Sequence, residues 1–276
     1  MLRTRVITAV VLLALLCAAA SWGGTALRGL CALLVAAALY EWLKLAGCGA
    51  AVAAATAAAY GAVLVAASVL DVRAPEGVGA GAALAACAVW CGLGAAVARA
   101  QQGRFRLGRA GSIVLALALL SAGWIALDHL LQRGVEYLLS VLAVVWIADI
   151  AAYFSGRALG RHKLAPRISP GKTWEGVVGA LVVVTLAALG VHVLWPQAPV
   201  WSNRALSGLG WLPAMAALWA IVALSIVGDL FESLLKRQAQ VKDSGWLLPG
   251  HGGVMDRIDA TLPTLPAAVL IDWWTR

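Results

Sequence analysis

Long apolar runs broken by short polar ones dominate this chain. Nine apolar segments recur, at about 5–22, 25–43, 50–70, 78–98, 111–131, 136–155, 175–195, 210–235 and 260–274. A helix that crosses a bilayer needs ~20 apolar residues, which the first eight segments approach or exceed. The ninth is shorter and holds Pro263 and Pro266. A proline inside a helix leaves a carbonyl unpaired unless neighbours satisfy it, so this segment is the least firmly marked. The pattern predicts an all-α, polytopic integral membrane protein of about nine transmembrane helices, in one transmembrane domain over residues 1–276.

Composition agrees. The 276 residues are 62% hydrophobic and only 12% charged, whereas a soluble domain carries about 45–50% apolar and about 25% charged residues. So much apolar surface does not fit one soluble core, and the scarcity of charge excludes disordered and coiled-coil classes. At the N-terminus, Arg3 and Arg5 precede an apolar stretch from Val6 to Ala20, which imitates a signal peptide. Further apolar segments follow at once, so it reads as an uncleaved first helix. Cys17, Cys31, Cys48, Cys87 and Cys91 lie in or beside apolar runs without partners at metal-ligand spacing, and read as packing residues.

A formal net charge of +8 is unusual in so apolar a chain, and its placement orients the helices. With a cytoplasmic N-terminus, the loops on that side hold Arg3, Arg5, Lys44, Arg99, Arg104, Arg106, Arg109, Arg157, Arg161, Lys163, Arg167, Lys172, Lys236, Arg237, Lys242 and Arg257, which is 16 of the 21 basic residues. Arg28, Arg73, Arg133, Arg204 and Arg276 fall on the other side. The positive-inside rule predicts this asymmetry. It requires six spans before Arg157 and an even number between the two later basic loops.

Those two loops, 155–174 and 236–259, are the most polar stretches of the chain and the expected seat of its chemistry. The eighth segment ends G-D-L-F-E-S-L-L-K-R, placing Asp229, Glu232, Ser233 and Lys236 on one helical face. An acid inside a span costs about 2.5–3.5 kcal/mol on insertion scales and normally faces a polar cavity. The following K-D-S-G-W-L-L-P-G-H-G-G-V-M-D-R-I-D folds tightly around His251 through its glycines and Pro249. Asp256 and Asp259 share a face of a starting helix, and carboxylates with few other ligands suit Mg²⁺, which keeps waters and binds substrate phosphates. Lys242, Arg257, Lys236 and Arg237 supply charge for phosphate oxygens. His251 suits a proton carrier, a phosphate donor or a structural turn histidine equally well.

In the other loop Asp149, Tyr153 and Gly156 share a face. Ser169-Pro170 is a good N-cap and first-turn pair, and a helix starting there beside Lys172 would make an anion site. The G-K-T triplet at 171–173 is not a P-loop, because Pro166 stands where that motif needs glycine. Local physics therefore predicts a membrane enzyme that binds phosphate groups and Mg²⁺ at the cytoplasmic face. A transporter or channel would also explain Asp149 and Asp229, but not two long loops that pair acids with phosphate-type cations.

The stretch S-L-L-K-R-Q-A-Q-V-K-D-S-G-W-L-L-P-G-H-G-G-V-M-D-R-I-D, Ser233 to Asp259, resembles from end to end the signature of the phosphatidate cytidylyltransferase (CDP-diacylglycerol synthase) family. Asp149 to Gly176 is similar to that family's second block, and Arg5 to Ala9 and Glu41-Trp42 resemble weaker N-terminal features. Strong similarity covers about a fifth of the chain. Ala260 departs from the family, where a small hydroxyl residue is more usual.

The resemblance implies that CTP and phosphatidate give CDP-diacylglycerol and pyrophosphate, a step of phospholipid synthesis, by in-line attack of the lipid phosphate on the α-phosphorus of CTP. Residues 136–276 would carry catalysis. It implies Asp229 and Asp256 as ligands of Mg²⁺, with a second metal allowed, and Asp259 as their support or as a partner that orients Arg257. Lys236, Arg237, Lys242 and Arg257 would bind phosphates, Ser169, Lys172 and Ser233 would line the substrate pocket, His251 would belong to the catalytic set, and Asp149 is a site acid without an assigned role. The implied partners are the two substrates and the bilayer, with no nucleic acid, and a homodimer is what the family suggests. Scarce Lys beside abundant Ala, Arg and Gly points to a GC-rich bacterial genome and hence to the cytoplasmic (inner) membrane. Rival readings are a CTP-dependent lipid kinase, which would release CDP instead of pyrophosphate, a transporter, and a structural membrane protein. A CDP-alcohol phosphotransferase is disfavoured by the absence of a D-x-x-D-G-x-x-A-R run.

Overall fold

A computed structural model describes residues 2–250 and 252–275. The chain is an α-helical bundle interrupted by one small hairpin. Its order is α1 (Leu2–Trp22), α2 (Gly24–Leu45), α3 (Ala50–Val69), α4 (Glu76–Gln101), α5 (Arg109–Gln132), α6 (Val135–Leu159), β1 (Lys163–Ala165), β2 (Ser169–Thr173), α7 (Trp174–Leu194), α8 (Trp201–Leu209), α9 (Trp211–Gln238), α10 (Met255–Ile258) and α11 (Thr261–Trp274). Every predicted apolar segment is a helix. Seven of them, in α2 to α7 and α9, are long and apolar enough to cross a membrane, so the protein is a multi-pass membrane protein. With 14 residues at 1.5 Å each, α11 reaches about 21 Å, short of a hydrocarbon layer ~30 Å thick.

Tight links fix the antiparallel order. Gly23 alone joins α1 to α2 at φ 111°, and Gly210 alone joins α8 to α9 at φ 77°, conformations that a Cβ would strain. Small residues let α6 and α7 pack closely: a Cβ on Gly176 would stand 2.8 Å from the carbonyl oxygen of Ala152. Two apolar clusters form the interior. One joins faces of α6 to α9 and α11; the other joins α2, α4, α5 and α9, where Phe231 packs between Trp42 and Trp90 at ring-centroid distances of 5.8 and 5.7 Å. Although short, α11 is buried along most of its length against α4, α5, α8 and α9. The indole N–H of Trp201 donates to the Ala268 carbonyl at 3.1 Å.

The connections sort to two ends. At one end the 101–108 connection, the hairpin and the 239–254 loop meet: Arg167 N–H donates to Gln101 Oε1, Leu107 N–H to Gln238 Oε1, and Arg237 Nε–H to the Ile168 carbonyl. Four of the five arginines assigned to the other side meet aspartates at the opposite end. Arg28 pairs with Asp71 at 2.8 Å and Asp128 at 2.7 Å, Arg73 with Asp71 at 2.9 Å, and Arg133 and Arg204 with Asp272, each at 2.9 Å. Arg276 lies outside the described residues.

One expectation needs correction. Ser169 does not cap a helix: it lies in β2, whose antiparallel pairing sets Ala165 opposite Ser169 and Lys163 opposite Thr173. The helix begins four residues later, and its N-cap is Thr173, whose Oγ1 accepts from Gly176 N–H at 3.2 Å. The connection between α7 and α9 contains the short helix α8.

Candidate active site

The two polar loops and the ends of α6, α7 and α9 enclose a cavity of about 780 Å³. Its wall carries Asp149 and Arg157 of α6, Lys163 of β1, Ser169 and Lys172 of β2, Asp229 and Lys236 of α9, Asp243 of the following loop, Asp256 and Arg257 of α10, and Asp259. That makes five aspartates facing five lysines and arginines. The cavity continues between the spans past Ala148, Ala180, Val222 and Ser225, so its polar mouth adjoins apolar walls.

Helical spacing explains the α9 contribution. Four residues apart, Ser233 Oγ–H donates to Asp229 Oδ1 at 3.4 Å, and Lys236 Nζ stands 2.5 Å from Glu232 Oε2. Glu232 is 1% exposed, a cost tolerable only because a cation meets it. Lys236 also reaches across to Asp256 Oδ1 at 2.6 Å. From the hairpin, Lys172 Nζ lies 2.6 Å from Asp229 Oδ2. Two lysines from different segments thus each hold a carboxylate of the cavity.

Asp256 is the most heavily bonded of these acids. Its Oδ2 accepts from Gly253 N–H at 2.8 Å and from Ser244 N–H at 3.0 Å, and the Ser244 hydroxyl stands 3.0 Å from it. Burial alone would raise its pKa, but the Lys236 ammonium and the two backbone amides outweigh it and hold the carboxyl at about 2. Asp259 moves the other way, pushed up by burial and then by the nearby Asp229 carboxylate. Neighbouring acids with opposed ionisation are common where sites handle charged reactants.

The structure thus brings together Asp149, Ser169, Lys172, Asp229, Lys236, Asp256, Arg257 and Asp259, with Ser233 behind Asp229. It does not bring in Arg237, whose guanidinium fastens the hairpin, or Lys242, which is exposed and off the cavity wall. His251 lies outside the described residues. Sequence reasoning left Glu41, Thr173 and Ser244 without roles and gave Arg157 and Lys163 only to topology or lipid contact. For Glu41 the one signal was its place in the weak N-terminal resemblance.

The donor set fits Mg²⁺. Among the described residues no three acid, histidine or cysteine side chains converge on one point, but Mg²⁺ commonly takes one or two carboxylates and completes its shell with water and substrate phosphates. Asp229 and Asp256 each already hold a cation, a lysine ammonium at 2.6 Å.

Acids and cations of the kind that meet phosphate groups converge at one end of a helical membrane bundle, and comparison with known proteins identifies the family. The profile of the cytidylyltransferase family matches residues 3–273, so this chain belongs to that family. It is similar to proteins named phosphatidate cytidylyltransferase: that of Haemophilus influenzae, 48% identical over 136 residues (49% of this chain, 44% of the relative); that of Pseudomonas aeruginosa, 42% over 168 residues (60% and 59%); and that of Bacillus subtilis, 40% over 146 residues (52% and 49%). The matched stretch spans about half the length of these curated relatives.

Proposed function

We propose that this chain transfers the cytidylyl group of CTP to phosphatidate, giving CDP-diacylglycerol and pyrophosphate. One observation carries the reading: five aspartates and five Lys/Arg side chains share one cavity that opens from a polar end into apolar walls between spans. A lipid phosphate can meet a nucleotide there while its acyl chains stay among the helices.

The chemistry follows from charge. A phosphatidate phosphate oxygen attacks the α-phosphorus of CTP in line, a new O–P bond forms, and the bond to the β-phosphate oxygen breaks to release pyrophosphate. Both reactants are anions, so repulsion and the charge growing on the leaving group make up much of the barrier. Lys172, Lys236 and Arg257 supply positive charge at the cavity wall, and Arg157 of α6 and Lys163 of the hairpin line the same wall. The cavity wall holds lysines and arginines in no greater number than aspartates, five of each, so a triphosphate and a lipid phosphate call for a further cation. Asp229 and Asp256 would hold Mg²⁺, which when bound neutralises phosphate oxygens and the pyrophosphate leaving group. Asp259 supports this pair, and Asp149 lies deeper along the same wall. The site lies at the cytoplasmic face of a bacterial inner membrane, with a cytoplasmic N-terminus; the 16 of 21 basic residues assigned to this side support that orientation.

The test uses detergent-purified full-length protein with phosphatidate, Mg²⁺ and CTP labelled in its α-phosphate. Labelled lipid and unlabelled pyrophosphate are expected, lost on chelation and lost in Asp229→Asn and Asp256→Asn variants that still insert. Labelled CDP with unlabelled lipid would establish the kinase reading instead, and wild-type turnover in either variant would remove the metal assignment.

A further inference from the structure

The loop that carries Asp256 is fastened by a residue more than 200 positions away. Glu41, near the end of α2, is 1% exposed. Its Oε1 accepts from Val254 N–H at 3.1 Å, and its Oε2 accepts from Met255 N–H at 2.8 Å and from the Ser244 hydroxyl at 3.0 Å. That hydroxyl also stands 3.0 Å from Asp256 Oδ2. The chain makes room for this carboxylate: a Cβ on Gly245 or on Gly253 would come within 2.3 Å of it.

The loop cannot hold this shape by regular structure. Between α9 and α10 it has, among the described residues, one bridge, Leu248 N–H to the Gly252 carbonyl at 3.0 Å, and α10 is a single turn of four residues. A buried carboxylate is an expensive fastener, and an apolar side chain of similar volume commonly serves stability as well or better. What an apolar side chain cannot do is accept three hydrogen bonds and so dictate where the Ser244 side chain and the backbone of 254 and 255 lie. Val254 and Met255 lead directly into Asp256, Ser244 N–H donates to its Oδ2 at 3.0 Å, and its other oxygen is held by Lys236.

We propose that Glu41 is a positioning residue for the transfer site: its carboxylate fixes the 243–256 loop so that Asp256 and Lys236 face the cavity in the geometry the reaction needs. This rests on the cytidylyl-transfer reading of that cavity. Displacing a supporting group of this kind typically costs 10–100-fold in activity. In Glu41→Gln an amide N–H₂ replaces one acceptor and confronts donors.

The experiment compares full-length wild type, Glu41→Gln, Ser244→Ala and Phe231→Leu in detergent micelles. Phe231→Leu is the control for stability, since Phe231 packs beside Trp42 away from the cavity wall. The expected result is a kcat about 10–100-fold lower in Glu41→Gln, with the KM for CTP changed by less than about threefold. Peptides covering 243–256 should exchange amide hydrogens faster, while those of α6 and α7 stay as in wild type. Ser244→Ala should show the same pattern to a smaller degree at near-wild-type stability, so the inference stays testable if Glu41→Gln does not fold. A kcat loss no greater than that of an equally destabilised Phe231→Leu, or unchanged exchange over 243–256, would overturn it. If wild type itself fails to transfer the cytidylyl group, the reading of the cavity falls, and the exchange measurement still decides whether Glu41 holds the loop.

Discussion

Replacing Lys236 with Met should damage stability and activity separately, and a second substitution should divide the two. Lys236 Nζ stands 2.5 Å from Glu232 Oε2 and 2.6 Å from Asp256 Oδ1. Glu232 is 1% exposed, so removing its cation leaves a buried charge without compensation. Breaking a buried pair from one side costs about 3–5 kcal/mol. At about 2–4 °C per kcal/mol for a chain of this size, the melting temperature should fall by roughly 6–20 °C. Glu232→Leu combined with Lys236→Met removes the stranded charge, and apolar replacement of a whole buried pair is often neutral or better. The double variant should therefore recover most of the lost melting temperature and none of the activity, because Asp256 still lacks its lysine. Thermal unfolding in one detergent, followed by intrinsic tryptophan fluorescence, together with the labelled-CTP assay, measures both quantities. A double variant no more stable than Lys236→Met, or one that regains turnover, would refute the division of labour assigned to this lysine.

Asp272→Asn should strongly destabilise the protein, since its fully buried carboxylate meets Arg133, Arg204, His129 and the Tyr137 hydroxyl, yet leave the KM for CTP unchanged when assayed below its melting temperature. Thr173→Val should cost about 0.5–2 kcal/mol by removing the α7 N-cap, read as a lower melting temperature. Lys172→Met should lose activity with little loss of stability: its partner Asp229 keeps a third of its side chain exposed, and partly exposed pairs contribute about 0–1 kcal/mol. A fall of more than a few degrees in that variant would show that Lys172 is chiefly structural.

The spans were legible because an apolar run of ~20 residues has few alternatives to a helix in lipid. What lies between spans was less so. Ser169-Pro170 carries a good local helix-start signal, but hairpin pairing with Ala165 claims that backbone first, and the helix waits for Thr173. Proline is tolerated there because a two-stranded hairpin has open edges. Arg237 and Lys242 could not be told from Lys236 and Arg257 by charge: the side of α9 and the path of the loop decide which cations face the cavity, and both depend on tertiary packing. Asp229, Glu232, Ser233 and Lys236 could be grouped because a helix repeats every 3.6 residues. Glu41 gave no periodic cue, since its partner Ser244 lies 203 positions away.

The central position of α11 has a consequence for how the protein is made. Every helix it packs against, α4, α5, α8 and α9 among them, precedes it in the chain. Chains are synthesised from the N-terminus at about 5–20 residues per second, so those helices are in the bilayer before their common filler exists. Until α11 arrives they enclose a gap, and Arg133 and Arg204 wait without Asp272. Biogenesis therefore includes an interval in which an inserted but unclosed bundle is open to lipid, to proteases and to wrong helix partners. Closing it depends on a short segment with two prolines, too short to span the bilayer alone and stable there only in the company it completes.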